Sequence, residues 1–443
     1  MPSRADITYF GAGPAYLPTD VLELASQALL DYNGTGLGIA EHSHRSELAS
    51  NIIKEAKEDL ATYLDIPSDY ETIFMQAGGT GEFAASVYNL VGAWVARQYA
   101  AIAKELGTED ESAIVDALRK RVESDLKVDY IITGSWSLKA YQEAVRLLGP
   151  EYVNIVTDAR TVNGGKFGKI PDQSTWKLSK DAAFVYYCDN ETVDGVEFPE
   201  FPAVLAPKED GTGPIVVSDM SSNILSRRIP VSNYSLIFFG AQKNLGSTGV
   251  AVAILKKSFL PPSVVQPGAP LLRKLGLPIP PIIFQYEIIA KNNSLYNTLS
   301  IFDVYIAGQV LKKLLRTYSN KVDGQQAVAE NKAELIYSAL EAHPEVYRIV
   351  PDKSVRSKMN ICFRVTKVSI STPFTDETNN ANSEKNGNVD EAEKAFLKEA
   401  TALHLTGLKG HRSVGGIRAS NYNSVPLEGA EKLAKFIDEF AKA

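Results

Sequence analysis

The chain is expected to fold as an α/β protein in two parts, a large, mainly parallel sheet domain over residues 17–299 and a smaller α+β domain made of residues 1–16 and 300–443. Three observations predict this. Short apolar runs recur at residues 72–76, 130–133, 153–156, 184–187, 215–218, 235–239 and 250–255, with helical patterns or loops between several of them. These runs are largely apolar throughout, as strands buried on both faces of a sheet are. Beyond a proline-rich connector over residues 261–281 the pattern changes to helical stretches near 300–317 and 325–340, then to separate strand-like runs near 347–350 and 360–365.

Composition excludes several classes of function. With 443 residues, 44% hydrophobic and 22% charged, the chain has an ordinary globular make-up and enough length for two cores. A formal net charge of -7 and no basic tract argue against a nucleic-acid partner. Cys188 and Cys362 each lie in an apolar segment, so they read as buried reduced thiols, and no metal site is expected. No apolar stretch approaches the length of a membrane span, and Met1-Pro2-Ser3-Arg4-Ala5-Asp6 lacks the apolar core of a signal peptide. The expected location is the cytoplasm, with no membrane partner.

In chain order, Gly11-Ala12-Gly13-Pro14-Ala15 is a breaker-rich opening, and residues 21–30 form the first helical pattern after Pro18-Thr19-Asp20. A glycine-rich loop leads to Glu41-His42-Ser43-His44-Arg45. Leu48, Ile52, Ala56 and Leu60 then repeat at helical spacing, which puts His44 and Arg45 at a loop-to-helix junction. The run at 72–76 ends in Ala77-Gly78-Gly79-Thr80-Gly81, and a helical pattern starts at Glu82. Residues 97–127, rich in Ala, Glu, Lys and Arg, read as a surface helical insertion. A helix is expected over 137–148, directly after Gly134-Ser135-Trp136. Residues 369–390 carry almost no core side chains and read as an exposed, mobile loop. Helices over 391–404 and 427–441 flank the glycine-rich stretch from Leu408 to Ser420.

The chemistry gathers where the apolar runs end, which is where open α/β sheets bind ligands. Gly240-Ala241-Gln242-Lys243-Asn244 follows one run and precedes another. A lysine between two buried strands, in a dry pocket near other cations, loses basicity and can form an imine with an aldehyde. Asp219 stands at the end of the run 215–218. A lysine for an imine and an acid for a ring nitrogen are what a pyridoxal phosphate enzyme requires. A lysine after a strand is more often an ordinary solvated one, so the rest of the chain has to decide. Gly78-Gly79-Thr80-Gly81, between strand and helix, offers unpaired amides to a phosphate, and lacks the Lys-Ser/Thr ending of a nucleotide loop. Trp136 at a strand end can stack on a flat ring, and Thr192 in Asn190-Glu191-Thr192-Val193-Asp194-Gly195 can donate to a ring oxygen. His44-Arg45, His411-Arg412 and Arg418 supply planar forks and donors suited to a substrate with two acidic groups.

Taken in order, these motifs resemble the phosphoserine aminotransferase family, pyridoxal phosphate enzymes of fold type I, over nearly the whole chain. The residues that carry the resemblance are Gly13-Pro14-Ala15, the segment from Glu41 to Arg45, Gly78-Gly79-Thr80-Gly81, the segment from Asn190 to Gly195, Asp219-Met220-Ser221-Ser222, the segment from Gly240 to Asn244, and Lys409-Gly410-His411-Arg412 through Gly416-Ile417-Arg418-Ala419-Ser420. The resemblance implies catalytic roles for Lys243, as the imine-forming lysine, and for Asp219, paired with the pyridinium nitrogen. It implies that Trp136 stacks on the ring, that Thr192 bonds its phenolic oxygen, and that Gly79, Thr80 and Gln242 hold the cofactor phosphate. Asn297 and Thr298 would reach that phosphate from a second subunit of a homodimer with shared active sites. His44, Arg45, His411 and Arg412 would receive the substrate's phosphate or side-chain carboxylate, and Arg418 its α-carboxylate. Some members have arginine where this chain has Thr80, which leaves one cation fewer near the substrate phosphate.

The implied activity is reversible amino transfer between O-phosphoserine with 2-oxoglutarate and 3-phosphohydroxypyruvate with glutamate, in serine biosynthesis. Two other readings fit parts of the sequence. One is a different fold type I enzyme, either an aminotransferase for another acidic amino acid or a desulfurase, although the latter needs a mobile cysteine and both cysteines here sit in apolar runs. The other is a non-catalytic phosphometabolite-binding protein in which Lys243 pairs with an anion.

Overall fold

The computed structural model describes residues 2–208, 212–367 and 384–443, the side chains of 384–390 excepted. Its centre is a seven-stranded sheet, ordered Tyr70–Met75, Ala251–Lys256, Leu236–Gly240, Val216–Asp219, Phe184–Cys188, Val128–Ile132 and Val153–Asp158. The last five of these pair in parallel, while Ala251–Lys256 runs antiparallel to both of its neighbours.

Side chains alternate across a strand, so a run that is apolar at every position feeds two cores at once. In the strand Phe184–Cys188, Val185 and Tyr187 face one core, which helices Thr19–Leu30, Glu47–Leu64 and Ile301–Thr317 cover. Phe184 and Tyr186 face the other, covered by Gly78–Leu106, Glu111–Asp125 and Ser135–Leu148. A third core lies around the three-stranded antiparallel sheet Tyr347–Ile349, Asn360–Val365 and Ile417–Ser420, packed by Val322–Glu341, Glu384–Ala402 and Leu427–Lys442. Near the N-terminus Thr8–Tyr9 pairs in parallel with Leu405–Thr406, and Phe10 enters that third core.

The packing bears on three expectations. Residues 97–127 are helical, with one face at the surface and the other packed inward. Gly78–Leu106 runs on into this stretch, Glu111–Asp125 folds back against it, and Ile102, Ile114, Leu118 and Val122 join the core. The change of domain at 299/300 is not where packing changes, because Ile301, Val304, Leu311 and Leu314 belong to the first core of the large sheet, as does Val322. The third core begins with Ala333 on the next helix. Of the loop expected at 369–390, residues 384–390 begin the helix Glu384–Ala402, and 369–383 lie outside the described residues. No helix among the described residues is long and apolar enough to cross a membrane.

Candidate active site

The strands from Val216, Leu236, Phe184, Val128 and Tyr70 all send their carboxyl ends to one side of the sheet, and a cavity of about 370 Å³ opens there. Gly79, Thr80, Trp136, Thr192, Asp219, Gln242, Lys243, His411 and Arg418 line it. These nine had been picked from the sequence for their chemistry, and the fold brings them together.

Lys243 is buried on the turn after Leu236–Gly240, and its Nζ donates to Thr192 Oγ1 at 2.8 Å. Burial holds its ammonium below the ordinary lysine range; attraction to Asp219 opposes this, and the Arg418 charge adds to the lowering. The stem is fixed from the N-terminal segment. Gly13 adopts a φ of +132°, and a Cβ there would come 3.5 Å from Lys243 Cγ, while Ala15 N donates to the Gln242 carbonyl at 2.9 Å.

Asp219 ends its strand with one oxygen secured. Oδ1 accepts from Ser221 N at 2.8 Å and from Ser221 Oγ at 2.6 Å. Its other oxygen, Oδ2, lies 3.8 Å from where a Cβ on Gly79 would stand, so glycine at 79 keeps the space above the acid open. Burial raises the Asp219 carboxyl, against the pull of Lys243 and the Ser221 bonds. The shifts on Asp219 and Lys243 share one cause, the loss of water around both charges, and each opposes the other's neutralisation. The nearby carboxylate Asp189 is paired with Arg227 at 2.5 Å, which limits its effect on the cavity.

The turn into Gly78–Leu106 puts Ala77 at φ 75° and Gly78 at φ 59°, and the helix start has no side-chain cap. Its first amides therefore face the cavity mouth as donors for an anion. The other helix that starts here is already occupied. Glu191 accepts from Trp136 N at 2.8 Å and Ser137 N at 2.9 Å, and Asp194 accepts from Ser135 N at 2.6 Å. Those contacts set the indole of Trp136, whose centroid lies 5.9 Å from Lys243 Nζ. Burial and the neighbouring Asp194 raise the Glu191 carboxyl above its ordinary range, against the pull of the amide bonds.

Arg418 Nη1 donates to the Thr192 carbonyl at 3.3 Å, and its buried Nε has no partner among the described residues. His411 lines the cavity beside it, and burial together with the charge of Arg418 lowers its pKa. Arg412, next in sequence, is exposed and does not line the cavity. Neither do His44, Arg45, Asn297 and Thr298 line the cavity of their own chain. Asn297 Nδ2 and the Thr298 carbonyl bond instead to the side chain of Gln76, and His44 Nε2 is buried without a partner among the described residues. Phe83, Cys188, Asn190 and Ser222 line the cavity without having been singled out. For Asn190 and Ser222 the signal was present, since both stand inside motifs noted for other members. Phe83 has no signal beyond its place in the first turns of the helix that follows the glycines.

The donor set fits pyridoxal phosphate: an uncapped, glycine-bearing helix start for the phosphate, an acid with a free oxygen for the ring nitrogen, an indole for its face, and a buried lysine of lowered basicity. The described residues contain no cluster suited to a metal ion. Residues 7–156 and 95–380 match the family model described as aminotransferase class-V. The chain is 40% identical over 442 residues to phosphoserine aminotransferase of Saccharomyces cerevisiae, a match that covers 99% of this chain and 98% of that one. The solved structure of phosphoserine aminotransferase from Bacillus circulans subsp. alkalophilus is similar with a TM-score of 0.77 at 31% identity, covering 98% of each chain. A PLP-bound phosphoserine aminotransferase from Trichomonas vaginalis gives a TM-score of 0.74 at 30% identity, covering 97% of this chain and 99% of that one.

Proposed function

The chain belongs to the class-V aminotransferases and, among them, to the phosphoserine aminotransferases, and from that premise we propose a role for each residue of its site. It is a pyridoxal phosphate-dependent aminotransferase that exchanges the amino group between O-phosphoserine with 2-oxoglutarate and 3-phosphohydroxypyruvate with glutamate, the transamination step of serine biosynthesis. When bound, pyridoxal phosphate supplies an aldehyde carbon that carries the amino group and a ring that accepts electrons.

The observation that carries the assignment of roles is the convergence of Lys243, Asp219, Thr192 and Trp136 on one cavity beside the uncapped helix start at Gly78. Lys243 Nζ attaches the cofactor, and once freed it takes the proton from the substrate's α-carbon. A lysine whose burial lowers its basicity suits that task, because the lowering favours the neutral amine that a base must be. Asp219 Oδ2 keeps a proton on the ring nitrogen, Thr192 Oγ1 donates to the phenolic oxygen, and Trp136 holds the ring by its face. Gly79, Thr80 and Gln242 hold the phosphate. Arg418 binds the α-carboxylate that both substrates share, and its unpartnered Nε is a donor that such an anion satisfies.

His411 and Arg412 receive the distal anion, and His44 and Arg45 complete its clamp. Since His44, Arg45, Asn297 and Thr298 stand outside their own chain's cavity, the proposal includes a homodimer in which each subunit contributes them to the other's site. A monomer in sedimentation that still turned over would contradict it. A cytoplasmic location is also proposed, in keeping with two free, buried cysteines.

The deciding experiment is visible absorbance of the protein loaded with pyridoxal phosphate and titrated with O-phosphoserine, beside Lys243→Ala. A band that depends on Lys243 and is bleached by phosphoserine is expected. A band that phosphoserine leaves unchanged would retain the cofactor reading and overturn the substrate assignment. No band would leave a binding protein.

A further inference from the structure

The excursion that carries His411 and Arg412 lies between Lys409 and Ile417, which form an isolated antiparallel bridge, and leads into the strand Ile417–Ser420. Arg418 N donates to Leu408 O at 2.8 Å and Gly410 N to Gly416 O at 2.9 Å, closing its neck. Inside the neck the bonds are local: Val414 N and Gly415 N both reach His411 O, and His411 Nδ1 pairs with Ser413 Oγ at 2.7 Å. Residues 412–415 are exposed. A loop whose own bonds are local and which buries no apolar side chain depends on outside contacts to hold its place.

Two side chains from other elements reach it. Arg364, on the strand Asn360–Val365, donates from Nη1 to the Val414 carbonyl at 3.0 Å and from Nε to Glu393 Oε1 at 2.5 Å. Glu393, on the helix Glu384–Ala402, accepts from Gly416 N on its other oxygen at 3.1 Å. Carboxylate and guanidinium thus hold the returning arm of the loop at Val414 and Gly416, and each other. The approach requires glycine: Gly416 has φ +78°, and a Cβ there would come 3.1 Å from Arg364 Cδ and from Phe363 O. Glu393 is nearly buried, so loss of either partner leaves a desolvated charge as well as a free loop.

We infer that Arg364 and Glu393 are positioning residues for the distal-anion loop, setting where His411 and Arg412 meet the substrate's phosphate or side-chain carboxylate. Neither touches the cofactor cavity, so the pair governs substrate affinity and leaves the cofactor alone. This rests on the proposed role of His411 and Arg412.

The test compares Glu393→Gln, Arg364→Met, the double variant and Arg412→Ala, each as cofactor-loaded protein. It measures KM and kcat for O-phosphoserine and for glutamate, and hydrogen exchange over residues 410–416. Each single anchor variant is expected to speed exchange of the loop and raise KM by about tenfold, the weight of one charge-assisted contact, while kcat and the cofactor band change little. The double variant is expected to be no worse than the poorer single, because the two side chains act as one unit. Unchanged exchange in Glu393→Gln and Arg364→Met overturns the inference directly. Faster exchange with unchanged KM, when Arg412→Ala does raise KM, shows an anchor without influence on substrate and also overturns it. If Arg412→Ala leaves KM unchanged, the assigned role of the loop fails and the inference falls with it, even where exchange shows the anchor to be real.

Discussion

On the floor of the cavity polar groups are fixed by one another: Lys243 by Thr192 and the backbone beneath Trp136 by Glu191, both from far along the chain, and Asp219 by Ser221 two residues on. On its rim Arg412 sits on an exposed loop held from outside by Arg364 and Glu393, and His44, Arg45, Asn297 and Thr298 are not in their own chain's cavity at all. The difference follows the chemistry each half performs. Proton transfer needs a dry, preorganised floor where a misplaced atom is costly. Recognition of two different distal anions, a phosphate and a carboxylate, needs donors that can adjust.

The comparison breaks most sharply at Asp219. Asp219→Asn removes the charge proposed to keep the ring nitrogen protonated while preserving the size of the side chain, and kcat should fall by about 10³-fold. The band of bound cofactor should persist, which separates lost chemistry from lost binding. A variant with kcat within a few-fold of the parent would show that the floor is not built around this acid.

Arg418 stands between the two halves, buried enough to contact Thr192 and placed to take an α-carboxylate. Arg418→Ala should raise KM for glutamate and phosphoserine alike by about 100-fold, the weight of a two-pronged charged contact. Near-normal use of both substrates would remove it from the site. A loss confined to phosphoserine would move it to the rim.

The floor was legible in the sequence because its signals are local. Lys243, Asp219 and Gly79 each stand where an apolar run meets a glycine or a small residue, and strand ends of a parallel sheet share one side. The rim was legible only in residue type. His44 and Arg45 could be chosen as anion donors, but their distance from the cavity depends on how a loop-to-helix junction lies in space, which no local pattern encodes. The anchors Arg364 and Glu393 and the helix-capping carboxylates Glu191 and Asp194 act far from their own position in the chain, so neither pair announced its purpose. The inward face of residues 97–127 is hard to see for a related reason: its apolar side chains, Ile102, Ile114, Val115, Leu118 and Val122, stand among charged neighbours. The proline-rich connector before the helix Ile301–Thr317 looks like a boundary in sequence, whereas the helix packs against Glu47–Leu64, a partner no local pattern names.

A smaller effect should separate the halves by pH. Glu82, fully buried behind the floor, accepts from Tyr286 Oη at 2.9 Å on one oxygen and has no partner for the other among the described residues. Burial pushes its carboxyl up to about 8. A carboxyl raised above its unfolded value of 4.5 binds a proton in the folded state that the unfolded chain has released, so stability falls as pH rises from 4.5 toward 8. Glu82→Gln keeps an acceptor for Tyr286 and removes the titration. Urea unfolding should therefore show a parent that loses about 2 kcal/mol more than the variant between pH 6 and 8. Equal slopes would mean that Glu82 is ionised in the folded protein.

The smallest expected effect lies at Thr80, an exposed side chain on the first turn of the helix whose amides face the cavity. Thr80→Arg adds a cation at the rim, where a substrate phosphate has most to gain, but it also sets that cation against the positive end of the helix. The second effect offsets part of the first, so the net change should be about a threefold lower KM for phosphoserine, under about 1 kcal/mol, with kcat unaltered. Glutamate, with a singly charged side chain, should gain less. If KM for glutamate falls as far as that for phosphoserine, position 80 faces the α-carboxylate that the two share, and the boundary between floor and rim runs on the other side of the helix start.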